Sequence, residues 1–267
     1  MYSRFKNTYS FITKRKIFFG ITNEKEFYLN NFQYKDGLNI LKKDFDNRDQ
    51  FFWAGGFDIA VIKNIFKCLG SDSFYLRKIK IPFDDPNLKI INTGDKWQSN
   101  MIILEERFEL SNIETFKFLI VNGADVHVDD DHPFVWAASY GYLDIVKYLV
   151  EKGANIHARN DTALRYSAAN GLLDIVRFLV ANGANIHAND DKALKQSAFN
   201  GHLHVFKFLV ENGANICVHR DYVCRWAHLN GHMNILQYMV TKGYDTSLGD
   251  RFSTNPFNCC FFPANKE

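Results

Sequence analysis

The sequence predicts a mainly α-helical solenoid of about five stacked units, preceded by a small α/β domain. Three observations predict it. The string Gly-Ala-Asn/Asp-Ile/Val recurs at Gly123, Gly153, Gly183 and Gly213, and continues more weakly at Gly243 as Gly-Tyr-Asp-Thr, each 30 residues after the last. Further columns keep the same step: Gly141, Gly171, Gly201 and Gly231 form one, and Leu119, Leu149, Leu179 and Leu209, continued by Met239, form another. A fixed period of this length is the signature of a repeat architecture. The third observation is that residues 1–97 carry no repeat and read as mixed strand and helix.

The amino-terminal segment, residues 1–97, is rich in aromatic side chains, with Phe18, Phe19, Phe27, Tyr28, Phe32 and Tyr34 close together. Ile59, Ile62, Ile65, Phe66 and Leu69 follow helical spacing and predict a helix over 59–69. Tyr75, Arg77, Ile79 and Ile81 alternate with Leu76, Lys78 and Lys80, which predicts an edge or half-buried strand over 74–81. Pro82 and the Asp84-Asp85-Pro86-Asn87 run mark a turn after it.

The repeats occupy 98–247, as units 98–127, 128–157, 158–187, 188–217 and 218–247, and 248–267 form a tail. Residues 161–183 show the logic of a unit. Asp161 is placed to cap a first helix. Leu164, Ser167 and Ala168 share one helical face, and Gly171 ends that helix because glycine enters the left-handed region at little cost. Ile175, Val176, Phe178 and Leu179 give a second helix its apolar stripe, which Gly183 stops. One such helix pair cannot bury its stripe alone, so the stacked array is the folding unit. The first unit is degenerate: its first helix, around Ile103–Leu110, carries Phe108 where other units have Ala138 or Ala168. The last diverges as well, with His228 at that small position.

Bulk properties exclude several classes of function. A chain of 267 residues, 46% hydrophobic and 23% charged, is globular in composition. A net charge of +2 gives no overall field to attract nucleic acid or a membrane. The charge is uneven: residues 1–97 hold 17 Lys/Arg against 11 Asp/Glu, whereas 98–267 hold 15 against 19, an asymmetry that suggests two domains. The five cysteines, Cys68, Cys217, Cys224, Cys259 and Cys260, are odd in number and contain no CxxC, which predicts thiols in a reducing compartment rather than a disulfide framework. No apolar run is long enough to span a membrane. Arg4, Lys6, Lys14, Arg15 and Lys16, with no acid before Glu24, read either as a frayed basic terminus or as a transit-peptide-like start.

Each unit resembles the ankyrin repeat, whose pattern runs Thr-Pro-Leu-His-x-Ala-Ala, then Gly-His-Leu, then Leu-Leu-x-x-Gly-Ala-Asp-Val-Asn. Here the matching residues are Ala168 and Ala198, Gly201-His202-Leu203, and Phe208-Leu209-Val210-Glu211-Asn212-Gly213-Ala214-Asn215-Ile216. The units are three residues shorter than the usual ankyrin period, and the Thr-Pro-Leu-His stretch is eroded to sequences such as Thr162-Ala163-Leu164-Arg165 and Tyr222-Val223-Cys224-Arg225. Shortened, eroded repeats of this kind resemble the ankyrin families of Mimivirus-type giant viruses. Gly55-Gly56-Phe57, the 75–82 strand and Gly94-Asp95-Lys96-Trp97 resemble the leader domain that precedes repeats in that family, with Trp53-Ala54 where a cysteine usually stands. The resemblance implies an ankyrin fold, a viral protein made in an infected host cell and located in its cytoplasm or nucleus, and a protein-binding role.

At the eroded positions Asp161 and Arg165, Asp191 and Lys195, and Asp221 and Arg225 predict i,i+4 ion pairs on the surface; a phosphate-binding ladder of Arg165, Lys195 and Arg225 is the other reading. His127, His157, His187 and Cys217 occupy one repeat column. Zinc needs its ligands about 2.0–2.3 Å away, and packed helices stand about 8–10 Å apart, so one ligand per repeat cannot converge and the column is expected to be structural. No nucleophile elbow, zinc-protease, P-loop or kinase motif occurs. The sequence therefore predicts no enzyme, no cofactor and no metal site, and a monomer that binds a protein partner but neither nucleic acid nor a membrane. The positions free of core duty are the hairpin tips, Arg159, Asn160, Asp190, Lys192, His219, Arg220 and Tyr222, and the ends of the first helices, Tyr140, Phe199 and Leu229. These are the expected partner-binding residues, with Phe199, Leu229 and Tyr140 as anchors. The competing reading is a small enzyme within residues 1–97 whose substrate the repeats recruit.

Overall fold

The computed structural model describes residues 17–28, 32–41, 56–94, 96–244 and 246. Cys259, Cys260, Trp53, Ala54, the basic residues before Ile17 and the 248–267 tail lie outside the described residues. Two compact units divide the chain, Met1–Pro133 and Phe134–Glu267.

The first unit is built on strands. β1 (Phe18–Thr22), β4 (Gly37–Ile40), β5 (Phe57–Val61), β6 (Tyr75–Lys80), β7 (Ile90–Asn92), β8 (Trp97–Ser99) and β9 (Met101–Glu109) form one sheet in the order β4-β9-β6-β1-β5-β8-β7. β2 (Phe27–Tyr28) and β3 (Phe32–Gln33) form a separate hairpin. Every pairing in the seven-stranded sheet is antiparallel. Phe18, Phe57, Ile59, Ile79, Ile102 and Leu104 meet in one buried cluster, with Trp97 edge-on to Phe18 at 6.3 Å. Phe19, Phe66 and Phe116 belong to a second buried group: Phe66 stacks on Phe116 at 5.2 Å, and Phe19 meets Phe118 at 6.2 Å. Phe116 and Phe118 lie on α1 (Ile113–Val121), whose first turn is capped by the Asn112 side chain accepting from the Glu114 N–H.

Three expectations are corrected here. The first unit is an antiparallel sheet domain rather than α/β, so the whole chain is mixed rather than mainly α. The stretch expected as one helix over 59–69 is strand β5 followed by a 3₁₀ helix, Ile62–Cys68, and Ile59 faces the sheet core instead of a helix stripe. The expected first helix of the 98–127 unit is β9. There Met101, Ile102 and Leu104 are buried on strands while Glu105, Glu106 and Arg107 are exposed, and β9 pairs with both β4 and β6. Only α1 of that unit is helical. β6 is found where an edge or half-buried strand was expected: it is half-buried, and it lies centrally between β9 and β1.

From residue 128 onward the chain forms helix pairs: α2 (Val128–Tyr140) with α3 (Leu143–Glu151), α4 (Ala158–Ala169) with α5 (Leu173–Ala181), α6 (Ala188–Phe199) with α7 (Leu203–Glu211), and α8 (Ile216–Leu229) with α9 (Met233–Thr241). In the second unit α4 packs on α6 and α6 on α8, while α5 packs on α7. The shared core is the sequence-predicted one: Leu164, Ala168, Ile175, Val176 and Leu179 are each at most 2% exposed, as are Leu194, Ala198, Val205, Phe206 and Leu209. At about 25 cal/mol per Å² of apolar surface, this continuous core supplies what no single helix pair could.

Candidate interaction surface

Three of the four first helices, α2, α4 and α6, begin in an unusual way. Asp129–Asp131, Arg159–Asp161 and Asn189–Asp191 each form a run of three left-handed residues, with φ between 49° and 61°. Asn and Asp tolerate this region better than other residues. The run turns the last aspartate inward: Asp131, Asp161 and Asp191 are 5%, 3% and 6% exposed. Each carboxylate meets the imidazole four residues before it, His127 Nδ1 at 2.8 Å, His157 Nδ1 at 3.0 Å and His187 Nδ1 at 2.7 Å. Asp161 Oδ1 also accepts the N–H of Asn185, in the hairpin that leads to α6, at 2.9 Å.

These contacts overturn the expected surface ion pairs. Asp161 and Asp191 are buried and committed to histidines, so neither reaches the cation four residues on. Arg165 instead donates to Thr162 Oγ1 and to the Arg159 carbonyl, and Lys195 pairs with the exposed Asp190 at 2.7 Å. That contact holds the Asp190 carboxyl below its usual range. Asp221 pairs with its neighbour Arg220 at 3.0 Å. The histidine column packs its hairpins, and among the described residues no three His, Cys, Asp or Glu side chains gather as a metal site.

The helix ends are tied from unit to unit. Asn170 Nδ2 donates to the Ser139 carbonyl, Asn200 Nδ2 to Ala169 and Asn230 Nδ2 to Phe199, at 2.9, 2.7 and 3.0 Å. His202 Nε2 and His232 Nε2 reach the same Ala169 and Phe199 carbonyls at 2.9 Å. This ladder fixes where the ends of the first helices sit.

Of the residues expected to meet a partner, Arg159, Asn160, Asp190 and Lys192 are exposed at the hairpins, and Arg220 is half-buried. Tyr140, Phe199, Tyr222 and Leu229 are 42%, 38%, 40% and 65% exposed. His219 is a correction: it is 7% exposed, and its Nε2 lies 3.0 Å from Asp191 Oδ2, so it is an internal tie between units and not surface. Tyr140 rests against Trp136 at 5.2 Å, and Phe199 against Trp226 at 5.1 Å. Sequence reasoning missed Trp226 and Tyr166. The signal for Trp226 was present, since Tyr222, Arg225, Trp226 and Leu229 stand at i, i+3, i+4 and i+7 and so share one stripe of α8. Tyr166, 47% exposed, holds the matching place on α4.

In the sheet unit, a cleft of about 600 Å³ is lined by Asp58, Cys68, Thr93 and Lys96 among others. Two of its charged groups are bound to each other, with Asp58 accepting from Lys96 Nζ at 2.8 Å, and Asp58 also accepts from Gln98 Nε2 at 2.9 Å. Burial first, and the Asp58 charge second, push the Cys68 thiol up to about 11, so it stays protonated and is a poor nucleophile near neutral pH. Arg77, buried beneath Asp36 and Glu26, is an internal charge clamp whose hydrogen bond keeps the Asp36 carboxyl below its usual range.

A paired-helix unit, repeated with a short hairpin and stacked through a shared apolar core, defines a repeat protein of the ankyrin class. A family model described as ankyrin repeats (3 copies) matches residues 107–190 and 160–220. Relatives in Acanthamoeba polyphaga mimivirus agree. The uncharacterized protein R869 is 37% identical over 139 residues, covering 49% of this chain and 95% of that protein. The putative ankyrin repeat protein R896 is 39% identical over 130 residues, covering 48% of this chain and 39% of the relative. The putative ankyrin repeat protein R229 is 36% identical over 143 residues, covering 49% and 46%. The chain belongs to the ankyrin-repeat proteins and is related to these viral members. It spans less than half the length of the last two. The family match begins at residue 107, so most of the sheet lies outside it.

Proposed function

We propose that this protein is an interaction scaffold that holds another protein against the first helices of its repeats and performs no chemistry of its own. The observation that carries the reading is the exposed apolar set Phe199, Tyr222 and Leu229 on α6 and α8, with the half-buried Trp226 packed against Phe199 and Tyr222. Where α6 and α8 place Phe199 and Leu229, α4 has the small Ala169, so stacking does not require bulk there. Exposed aromatic and aliphatic side chains on packed helices lose little entropy on binding and act as anchors. The sheet unit is read as a companion domain, since Asp58 and Lys96 of its cleft are paired with each other and its Cys68 thiol stays protonated. The viral relatives support a role in an infected cell, engaging a host or viral protein. The thiols at Cys68, Cys217 and Cys224 support a reducing compartment such as host cytoplasm. No helix among the described residues is long and apolar enough to cross a membrane.

The test is Phe199→Ala combined with Leu229→Ala. Partners captured from infected cells by the wild-type chain should bind the double variant about thirtyfold more weakly, the effect of losing about 2 kcal/mol of anchoring. The melting temperature serves as the control for folding. Undiminished capture by the double variant, with capture lost when surface residues of the sheet are changed, would move recognition to the first unit.

A further inference from the structure

On α4, α6 and α8 the cations outnumber the exposed carboxylates. Residues at matching positions, 30 apart, form three parallel stripes: Thr162, Arg165, Tyr166 and Ala169 on α4; Lys192, Lys195, Gln196 and Phe199 on α6; Tyr222, Arg225, Trp226 and Leu229 on α8. The second place in each stripe is a cation, giving a row Arg165–Lys195–Arg225 across three units. The carboxylates that would neutralise this row are removed by the fold. Asp161 and Asp191 are buried on histidines, and Asp221 is taken by Arg220. Only Asp190 answers the row, on Lys195. Among the described residues no carboxylate lies within ion-pair distance of Arg165, Lys192 or Arg225. Beside the row stand the exposed rings and the aliphatic Leu229.

From this juxtaposition we infer that the inner face binds an acidic, extended segment of a partner protein, with carboxylates about three residues apart and an aromatic or leucine side chain between them. The inference rests on the interaction-scaffold reading and names the class of partner. Two physical arguments support it. Packed helices are about 8–10 Å apart, and an extended chain advances about 3.3 Å per residue, so carboxylates at every third residue keep step with a row of one cation per unit. Arginine at two of the three places favours paired hydrogen bonds to planar carboxylates. A nucleic acid would meet the same charges, but Phe199 and Leu229 offer an apolar floor that phosphates do not use, and the net charge of the whole chain is only +2.

The experiment selects random 12-residue peptides displayed on phage against the full chain, then measures synthetic copies of the enriched peptides by fluorescence anisotropy. A 12-nucleotide oligothymidylate is measured alongside them. Enriched peptides are expected to carry an excess of Asp and Glu at three-residue spacing with at least one aromatic or leucine. Arg165→Glu with Arg225→Glu should weaken their binding by about tenfold or more, while Lys147→Glu on α3 leaves it unchanged. Circular dichroism shows that the variants are folded, and Arg225→Gln supplies a milder change that should weaken binding in the same direction. Enrichment of peptides without acidic excess, or of none, overturns the inference. If the charge reversal has no effect but Phe199→Ala with Leu229→Ala does, the inner face is the site and the acidic class is wrong. If neither change matters, both readings fall. Tighter binding of the oligonucleotide than of every peptide assigns the row to polyanions and also overturns it.

Discussion

The hairpins that open α4 and α6 and the one that opens α8 start from similar sequences and fold differently. His157-Ala-Arg-Asn-Asp161 and His187-Ala-Asn-Asp-Asp191 place three residues in the left-handed region, whereas Cys217-Val-His-Arg-Asp221 runs as uninterrupted helix from Ile216. The difference is not made by the residue after the first position, because His127-Val128 also leads into a left-handed run at Asp129–Asp131. What separates them is the histidine, together with an Asp or Asn in the middle of the run (Asp130, Asn160, Asp190) where the last hairpin has Arg220. Left-handed backbone costs roughly 1–2 kcal/mol per residue, and a buried carboxylate held by an imidazole, with a backbone N–H added at Asp161, offsets part of that cost. Cys217 offers only a weak thiol donor in place of an imidazole, so Asp221 stays at the surface, where it meets Arg220. His219 then fills the space by reaching back to Asp191. A repeat column is therefore a coupled pair, His with Asp, and losing one member frees the other.

Both kinds of hairpin rest on the same core, so the largest expected effect comes from breaking that core. Leu164 is 1% exposed. Leu164→Asp should destabilise the array by about 4 kcal/mol or more, since an unpaired carboxylate cannot be accommodated there. Helical circular dichroism should fall, and an unchanged signal and melting temperature would refute the shared core. Asp191→Ala and Asp221→Ala distinguish the two kinds of hairpin. Asp191 receives His187 and His219 while buried, so its loss should cost about 2–3 kcal/mol in urea unfolding. Asp221 is exposed, and its loss should change stability by less than about 0.5 kcal/mol. Equal costs would mean that the left-handed hairpin does not depend on its carboxylate.

A smaller effect separates an inner unit from the last one. Gly201 and Gly231 both have positive φ, 78° and 74°. A Cβ on Gly201 would lie 2.5 Å from His232 Nδ1, whereas one on Gly231 would meet nothing within 4 Å. Alanine at either place incurs about 1 kcal/mol of left-handed strain. At Gly201 it also displaces the ring that bonds the Phe199 carbonyl, so Gly201→Ala should cost about 1 kcal/mol more than Gly231→Ala. Thermal melts of the two variants test the difference.

The repeat half was legible because its period places several constraints on each helix at once: Leu164 and Ala168 inward, Gly171 and Gly183 at the ends. The sheet half had no such redundancy. Ile59, Ile62, Ile65, Phe66 and Leu69 fit a helix, yet a strand followed by a 3₁₀ turn buries Ile59, Ile65 and Phe66 just as well, and short apolar runs cannot settle that choice. Extending the 30-residue step backwards imposed a helix on Met101–Glu109, although Ile102 and Leu104 against Ile103 and Glu105 already alternate as a strand does. At the candidate surface, exposure of the tips Arg159, Asn160, Asp190 and Lys192 was readable, but the burial of His219 and the inward turn of Asp161 and Asp191 were not. It depends on three consecutive left-handed residues, which a helix-capping argument does not anticipate, and the resulting excess of cations is visible only once those carboxylates are removed from the surface.

The smallest expected effect is none at all, and it tests whether the His–Asp pairing is purely structural. Each of His127, His157 and His187 has its Nδ1 on its own aspartate, which leaves one nitrogen per unit to offer a metal. Zinc needs several ligands within about 2.0–2.3 Å, and helix spacing of about 8–10 Å keeps successive imidazoles apart. Isothermal titration with zinc should therefore show no stoichiometric site, and His157→Ala should leave that result unchanged while lowering stability by about 1 kcal/mol, because Asp161 keeps only the Asn185 N–H. A defined zinc site that disappears in His157→Ala would show that the column can close on a metal. It would also change the lesson of the comparison: Cys217, at the same position in the last unit, would then count as a fourth ligand rather than a lost partner.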